Sequence, residues 1–181
     1  MYHKILDEAI QELKDEEFSG LFTDEKPREF VSFTQVDTDL EVHIPSDYVT
    51  NITERYNLYS QLSTLENEQQ LQSFKKELID RFGPLPIEVN ELFNTLRLQW
   101  YGKKIGFEKV SYKKDVLRGY FVSDKQSPYF ESDQFGLVLD FVQRNPSICN
   151  LKEVKGTLRI GFDRIYDIRQ AIDILKELAG A

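Results

Sequence analysis

Thiol and imidazole chemistry are nearly missing from this 181-residue chain, which has one cysteine, Cys149, and two histidines, His3 and His43. A lone cysteine excludes an internal disulfide framework, fits a reducing compartment and leaves no zinc-finger spacing. Cys149 follows Pro146-Ser147-Ile148 and starts an apolar strand, a setting that predicts a small buried hydrophobe rather than a nucleophile. The histidines fall in unrelated elements. No Gly-x-Ser-x-Gly turn occurs, so no nucleophile elbow is indicated. Gly102-Lys103-Lys104 lacks the upstream glycine and the Ser/Thr of a phosphate loop, and it ends a helix instead of opening one. No signal-like segment or apolar run of spanning length is present, which predicts a soluble, cytoplasmic chain with no membrane partner. These absences together predict a noncatalytic domain.

Positive charge is also scarce. The formal net charge is −8, which argues against a dedicated nucleic-acid binder, since phosphate neutralisation supplies most of that affinity. The imbalance is local. Residues 1–96 carry 8 basic and 20 acidic side chains, whereas residues 97–181 carry 15 basic and 11 acidic. An acidic half of this kind suits either a basic partner or ordinary solubility.

The most informative stretch is Glu77-Leu78-Ile79-Asp80-Arg81-Phe82-Gly83-Pro84-Leu85-Pro86. Leu71, Phe74, Leu78 and Phe82 recur at helical spacing and form one apolar stripe. Gly83 and Pro84 stop the helix, and Pro86 suits the first turn of the next. Glu77 and Asp80 lie roughly 60° apart and off that stripe. Arg81, one turn beyond Glu77, is placed to pair with it. The spacing leaves two readings open, a solvated helix face or a charged docking site.

The rest of the pattern reads as α+β. Residues 1–28 form a leading helix over Met1–Glu17 and an acidic loop. Residues 29–181 follow as one compact unit with two lobes. The first lobe is helical with a short strand region. Leu40, Val42 and Ile44 alternate with Asp39, Glu41 and His43 as a half-buried strand. Asn51 and Asn67 cap the next two helices through capping boxes. Ile52, Tyr56, Tyr59 and Leu62 are the expected buried stripe of the first. A third helix runs from about Pro86 to Lys104, with Val89, Leu92, Phe93, Leu96 and Trp100 inward. The second lobe has the order β-β-α-β-β-α, expected as one four-stranded sheet with helices on one face. Turns at Lys114-Asp115 and Lys155-Gly156 join its hairpins. Ser132 caps a helix that carries Phe135, Val138, Leu139 and Val142 inward, and Ile168, Ile172, Leu175 and Leu178 line the last.

Two further clusters carry possible chemistry. Asp37, Asp39, Glu41 and His43 alternate and would share one face of a strand, giving hard-to-borderline metal ligands and, in the enzymatic alternative, a metal-dependent hydrolase. Alternating strand positions diverge from a single ion, and a solvated sheet face has the same pattern. Lys103, Lys104, Lys109, Lys113, Lys114 and Arg118 define an alternative nucleic-acid-contacting module in the Lys103–Arg118 region. No interleaved aromatic platform is evident beside them in the sequence.

Glu77–Pro86 resembles the signature of the C-terminal domain of bacterial transcription-repair coupling factors (Mfd). Ile44-Pro45-Ser46-Asp47-Tyr48-Val49 is similar to that family's Ile-Pro-Asp-Asp-Tyr-Ile segment, and Arg55, Tyr56 and Tyr59 fall where it has Arg-Leu-x-x-Tyr. Met1–Leu13 resembles the helix that follows the motor domain. Ser46 and Thr50 depart from a frequent acid and a frequent proline. The resemblance implies an ATP-driven DNA translocase as parent, which removes stalled RNA polymerase and recruits nucleotide-excision repair. It places ATP, magnesium, DNA and RNA polymerase on other domains and leaves no cofactor here. It implies an autoinhibitory regulatory domain that packs on an upstream UvrB-like module, masks the UvrA-binding surface and restrains the motor. It also implies that Glu77 and Asp80 contact arginines of that module, while the i,i+4 spacing gives Arg81 the task of orienting Glu77.

Overall fold

The computed structural model describes residues 29–180. The expected leading helix and acidic loop of residues 1–28 lie outside the described residues.

Local sequence signals account for most of the elements. Strand β1 (Gln35–Thr38) precedes three helices: α1 (Ile52–Ser63), α2 (Glu68–Phe82) and α3 (Ile87–Ile105). The chain then forms β2 (Phe107–Lys113), β3 (Val116–Phe121), a 3-10 turn (Pro128–Glu131), α4 (Asp133–Arg144), β4 (Asn150–Val154), β5 (Thr157–Phe162) and α5 (Ile168–Leu178). Asn51, Asn67 and Ser132 each accept a backbone N–H of the helix they open, relieving donors that a first turn leaves unpaired. Both hairpins close on two-residue turns with left-handed backbone. Lys114 and Asp115 have φ of 50° and 61°, and Lys155 and Gly156 have 51° and 80°. That twist matches the twist of the flanking strands.

The sheet has five strands, not four, in the order β1-β2-β3-β5-β4. The extra strand is β1, which runs parallel to β2 and pairs Val36 with Val110 and Thr38 with Tyr112. It lies earlier than the strand expected at 40–44. The Thr38 hydroxyl accepts the Leu40 N–H and turns the chain off the ladder. Leu40 and Val42 are half-buried and Ile44 is buried, so the alternation there is real. It comes from a bent segment that passes from the sheet-side cluster, where Leu40 packs, to the helical cluster, where Ile44 is buried and its N–H donates to the Tyr59 hydroxyl (2.7 Å).

Two apolar clusters hold the molecule together. One gathers Ile44, Val49, Leu58, Leu62, Leu71, Phe74, Leu78, Val89 and Phe93. The other lies between the sheet and helices α3, α4 and α5, around Leu98, Ile105, Phe107, Leu117, Phe121, Tyr129, Ile160 and Leu175. Helix α3 belongs to both. Its first half supplies Val89 and Phe93, and its second supplies Leu98 and Ile105.

Two expected stripes need correction. In α1, Ile52 and Tyr56 are 58% and 67% exposed, while Leu58 and Leu62 are buried. Of the expected stripe Leu62 is buried as anticipated, and tertiary packing pairs it with Leu58 one turn earlier instead of with Ile52 and Tyr56. In α4, Phe141 is buried and Leu139 faces solvent. Helix α3 ends at Gly106, whose φ is 104°. A Cβ there would run into the Tyr129 ring, and the Tyr129 hydroxyl donates to the Ile105 carbonyl at 2.7 Å. Burial pushes the Tyr129 phenol well above its usual range.

Candidate partner-docking site

The C-terminal end of α2 is held from several sides. The Gly83 N–H donates to the Ile79 carbonyl at 2.9 Å. The Tyr48 hydroxyl reaches the Gly83 carbonyl at 2.9 Å and the Leu78 carbonyl at 3.3 Å, serving acceptors that a helix end leaves unpaired. Its ring lies 5.8 Å from that of Phe82, and burial raises the phenol. Leu71, Phe74 and Leu78 are buried beneath, so the outward residues stand on a fixed platform.

Three charged residues predicted from the sequence share this platform without sharing a role. Arg81 pairs with Glu77 at 3.4 Å, as the i,i+4 spacing anticipates. It also makes a closer ion pair with Glu54 on α1 and lies 4.8 Å over the Phe82 ring. Its guanidinium is thus held within the domain, and its pKa is raised chiefly by Glu54 and then by Glu77. Glu77 is half-buried and loosely engaged, while Asp80 is exposed and makes no ion pair among the described residues. Glu54 was visible in the sequence only as a capping-box residue of α1. Its contact with Arg81 spans 27 positions, a separation that no local pattern encodes.

The other candidates are rearranged. Among Asp37, Asp39, Glu41 and His43, only Asp37 lies in a strand. Asp37 pairs with Lys113 at 2.8 Å and Lys109 at 3.8 Å, and Lys113 foremost lowers its pKa. Asp39 accepts the Lys114 N–H. Among the described residues no group of three or more His, Cys, Asp or Glu is placed to hold a metal ion. Cys149 is buried, donates to the Asn145 carbonyl at 3.2 Å, and has its thiol pushed up by burial. That is the environment of an inert thiol. The basic run divides. Lys103 and Lys104 end α3, with Lys103 paired to Glu29 at 3.3 Å, while Lys109, Lys113 and Arg118 stand on the sheet. A cleft of about 420 Å³ lies between α2, α3 and the start of α5. Its two arginines are already committed, Arg97 to Glu68 and Arg169 to Asp167. No helix among the described residues is long and apolar enough to cross a membrane.

The fold and the site define an α+β domain that offers a rigid, acidic helix end on a helical lobe braced against a sheet. By sequence, residues 38–132, just over half of the chain, match the family model of the TRCF domain, and the chain belongs to that family. It is 31% identical over 154 residues to a transcription-repair-coupling factor of Rickettsia typhi, a match that covers 84% of this chain and 12% of that protein. The corresponding protein of Bacillus subtilis is 27% identical over 118 residues, or 65% of this chain and 9% of that one. The chain therefore spans a small fraction of the curated relatives it matches. A solved C-terminal domain of transcription-repair coupling factor shares the fold, with a TM-score of 0.60 at 19% identity over 81% of this chain and 88% of that one.

Proposed function

We propose that residues 29–181 form a noncatalytic regulatory domain of a transcription-repair coupling factor and act as a removable intramolecular mask. Residues 1–28 lead into it from an upstream motor. In this reading the domain packs on a UvrB-like module of its parent, covers the surface that UvrA would bind, and restrains the motor until RNA polymerase is engaged. ATP, magnesium and DNA are handled by other domains, and this one uses no cofactor. The parent is cytoplasmic.

The observation that carries the reading is the division of labour at the end of α2. Arg81 is satisfied by Glu54, which leaves the Glu77 and Asp80 carboxylates presented from a capped helix. Arginines suit such a target because a planar guanidinium meets a carboxylate in a two-point contact. Tethering makes even a modest interface effective through high local concentration. Release then requires a ligand that prefers the open state.

The test is made in the full-length parent. Glu77→Lys with Asp80→Lys reverses both charges, and UvrA affinity is compared with wild type alongside thermal melts. Tighter UvrA binding without polymerase, at an unchanged melt, is expected. Unchanged affinity at an unchanged melt would leave these carboxylates as a solvated face.

A further inference from the structure

The sheet places its basic residues on one side, together with an aromatic ring. Cross-strand register aligns Lys109 with Tyr120, Tyr120 with Arg159, and Arg159 with Lys152. A second row aligns Asp37, Ser111, Arg118, Gly161 and Asn150. The side of the sheet on which these rows lie is fixed by Gly119. A Cβ on Gly119 would strike the Phe107 ring in the core, so its neighbours Arg118 and Tyr120 point to the opposite face. Lys109 lies 5.5 Å over the Tyr120 ring, confirming that they share that face. The buried side, with Leu117, Phe121 and Ile160, packs against the helices.

Not all of these charges are free. Asp37 holds Lys113 at 2.8 Å and Lys109 more loosely at 3.8 Å. Arg118, Arg159 and Lys152 make no ion pair among the described residues. The acidic end of α2 stands on the helical lobe, apart from this face. Adjacent strands lie about 4.8 Å apart, so a row across four strands extends about 14 Å. A sheet face with cations around a half-buried aromatic ring matches what an unpaired strand offers, phosphates for the cations and an unstacked base for the ring. Duplex bases are stacked and out of reach of such a ring.

We propose that this outer sheet face contacts single-stranded nucleic acid, with Lys109, Arg118, Lys152 and Arg159 on phosphates and Tyr120 beneath a base. The surface is separate from the acidic helix end and does not depend on the masking role.

The probe is a labelled oligothymidylate of about 12 nucleotides, a length within the range a single small domain engages. Its anisotropy is read with the 181-residue chain. With four phosphates engaged, raising salt from about 50 to about 200 mM should weaken binding about 50-fold. Arg118→Gln with Arg159→Gln should lower affinity and reduce the logarithmic salt slope by about 1.4. Tyr120→Leu should lower affinity about tenfold and leave that slope unchanged. Lys103→Gln with Lys104→Gln, at the end of α3, should change nothing. Thermal melts establish that each variant is folded. Four results would overturn the proposal: no binding at low salt, equal binding by the folded double sheet variant, equal binding of a duplex regardless of Tyr120, or equally tight binding of polyglutamate. The last would assign the face to an acidic protein instead.

Discussion

Arg81 and Glu54 join the end of α2 to the first turn of α1 across 27 residues of sequence. The pair sets which charges remain available at the end of α2, because a guanidinium committed to Glu54 holds Glu77 only at 3.4 Å. Glu54→Gln should let Arg81 turn fully onto Glu77. That withdraws one carboxylate from the docking face, so masking should weaken, though less than with both carboxylates reversed. Exposed pairs contribute little to stability, and the melting temperature should move by less than about 4 °C. UvrA affinity of the full-length variant and a melt check both parts.

Masking through this acidic lobe should depend on salt. Charges at an exposed interface are screened over a Debye length of about 8 Å at 0.15 M. Titrating the isolated domain with the upstream module by calorimetry should show association that weakens as salt rises. Binding independent of salt would mean that the acidic lobe is not what docks.

Acid should loosen the domain partly through Glu68. Its two-point contact with Arg97 (2.7 and 2.9 Å) lowers its pKa below 4.5, with Arg97 as the largest cause. A depressed folded-state pKa gives stability that is present above the unfolded value and lost as pH falls through the folded one. Wild-type melts should therefore decline once pH drops below the ordinary carboxylate value of 4.5. Glu68→Gln should flatten that part of the profile. The Glu68 side chain is 53% exposed, so the difference should be small.

Gly106→Ala should be among the costliest single changes. A left-handed backbone at a non-glycine residue costs about 1–3 kcal/mol, and the added methyl group also meets the Tyr129 ring. A loss of about 2 kcal/mol or more is expected, or at least about 4 °C in the melt. Gly136→Ala is the control, since nothing lies within 4 Å of a Cβ placed there.

Features set by neighbouring residues were legible in the sequence. The asparagine and serine caps, both hairpin turns, the burial of Cys149 and the Arg81–Glu77 spacing all follow from local chemistry. Features that depend on distant partners were not. Strand β1 exists because Gln35–Thr38 meets Lys109–Tyr112, more than seventy residues away, while the stronger alternation at 40–44 has no strand to join. Both Ile52-Tyr56 and Leu58-Leu62 satisfy the helical period, and only packing distinguishes them. The resemblance to coupling factors singled out Glu77 and Asp80, but the hold of Glu54 on Arg81 required the fold. The cationic sheet face was likewise hidden, because Tyr120, Arg159 and Lys152 become neighbours only through register.

Helix α3 is about 28 Å long at 1.5 Å per residue and serves both apolar clusters. Melting either lobe removes half of the wall against which the other is packed. The two lobes are therefore expected to unfold as one cooperative transition, with amide exchange in Phe93 and Ile105 slowing to the same global limit. A domain with a common spar has no internal hinge at its midpoint.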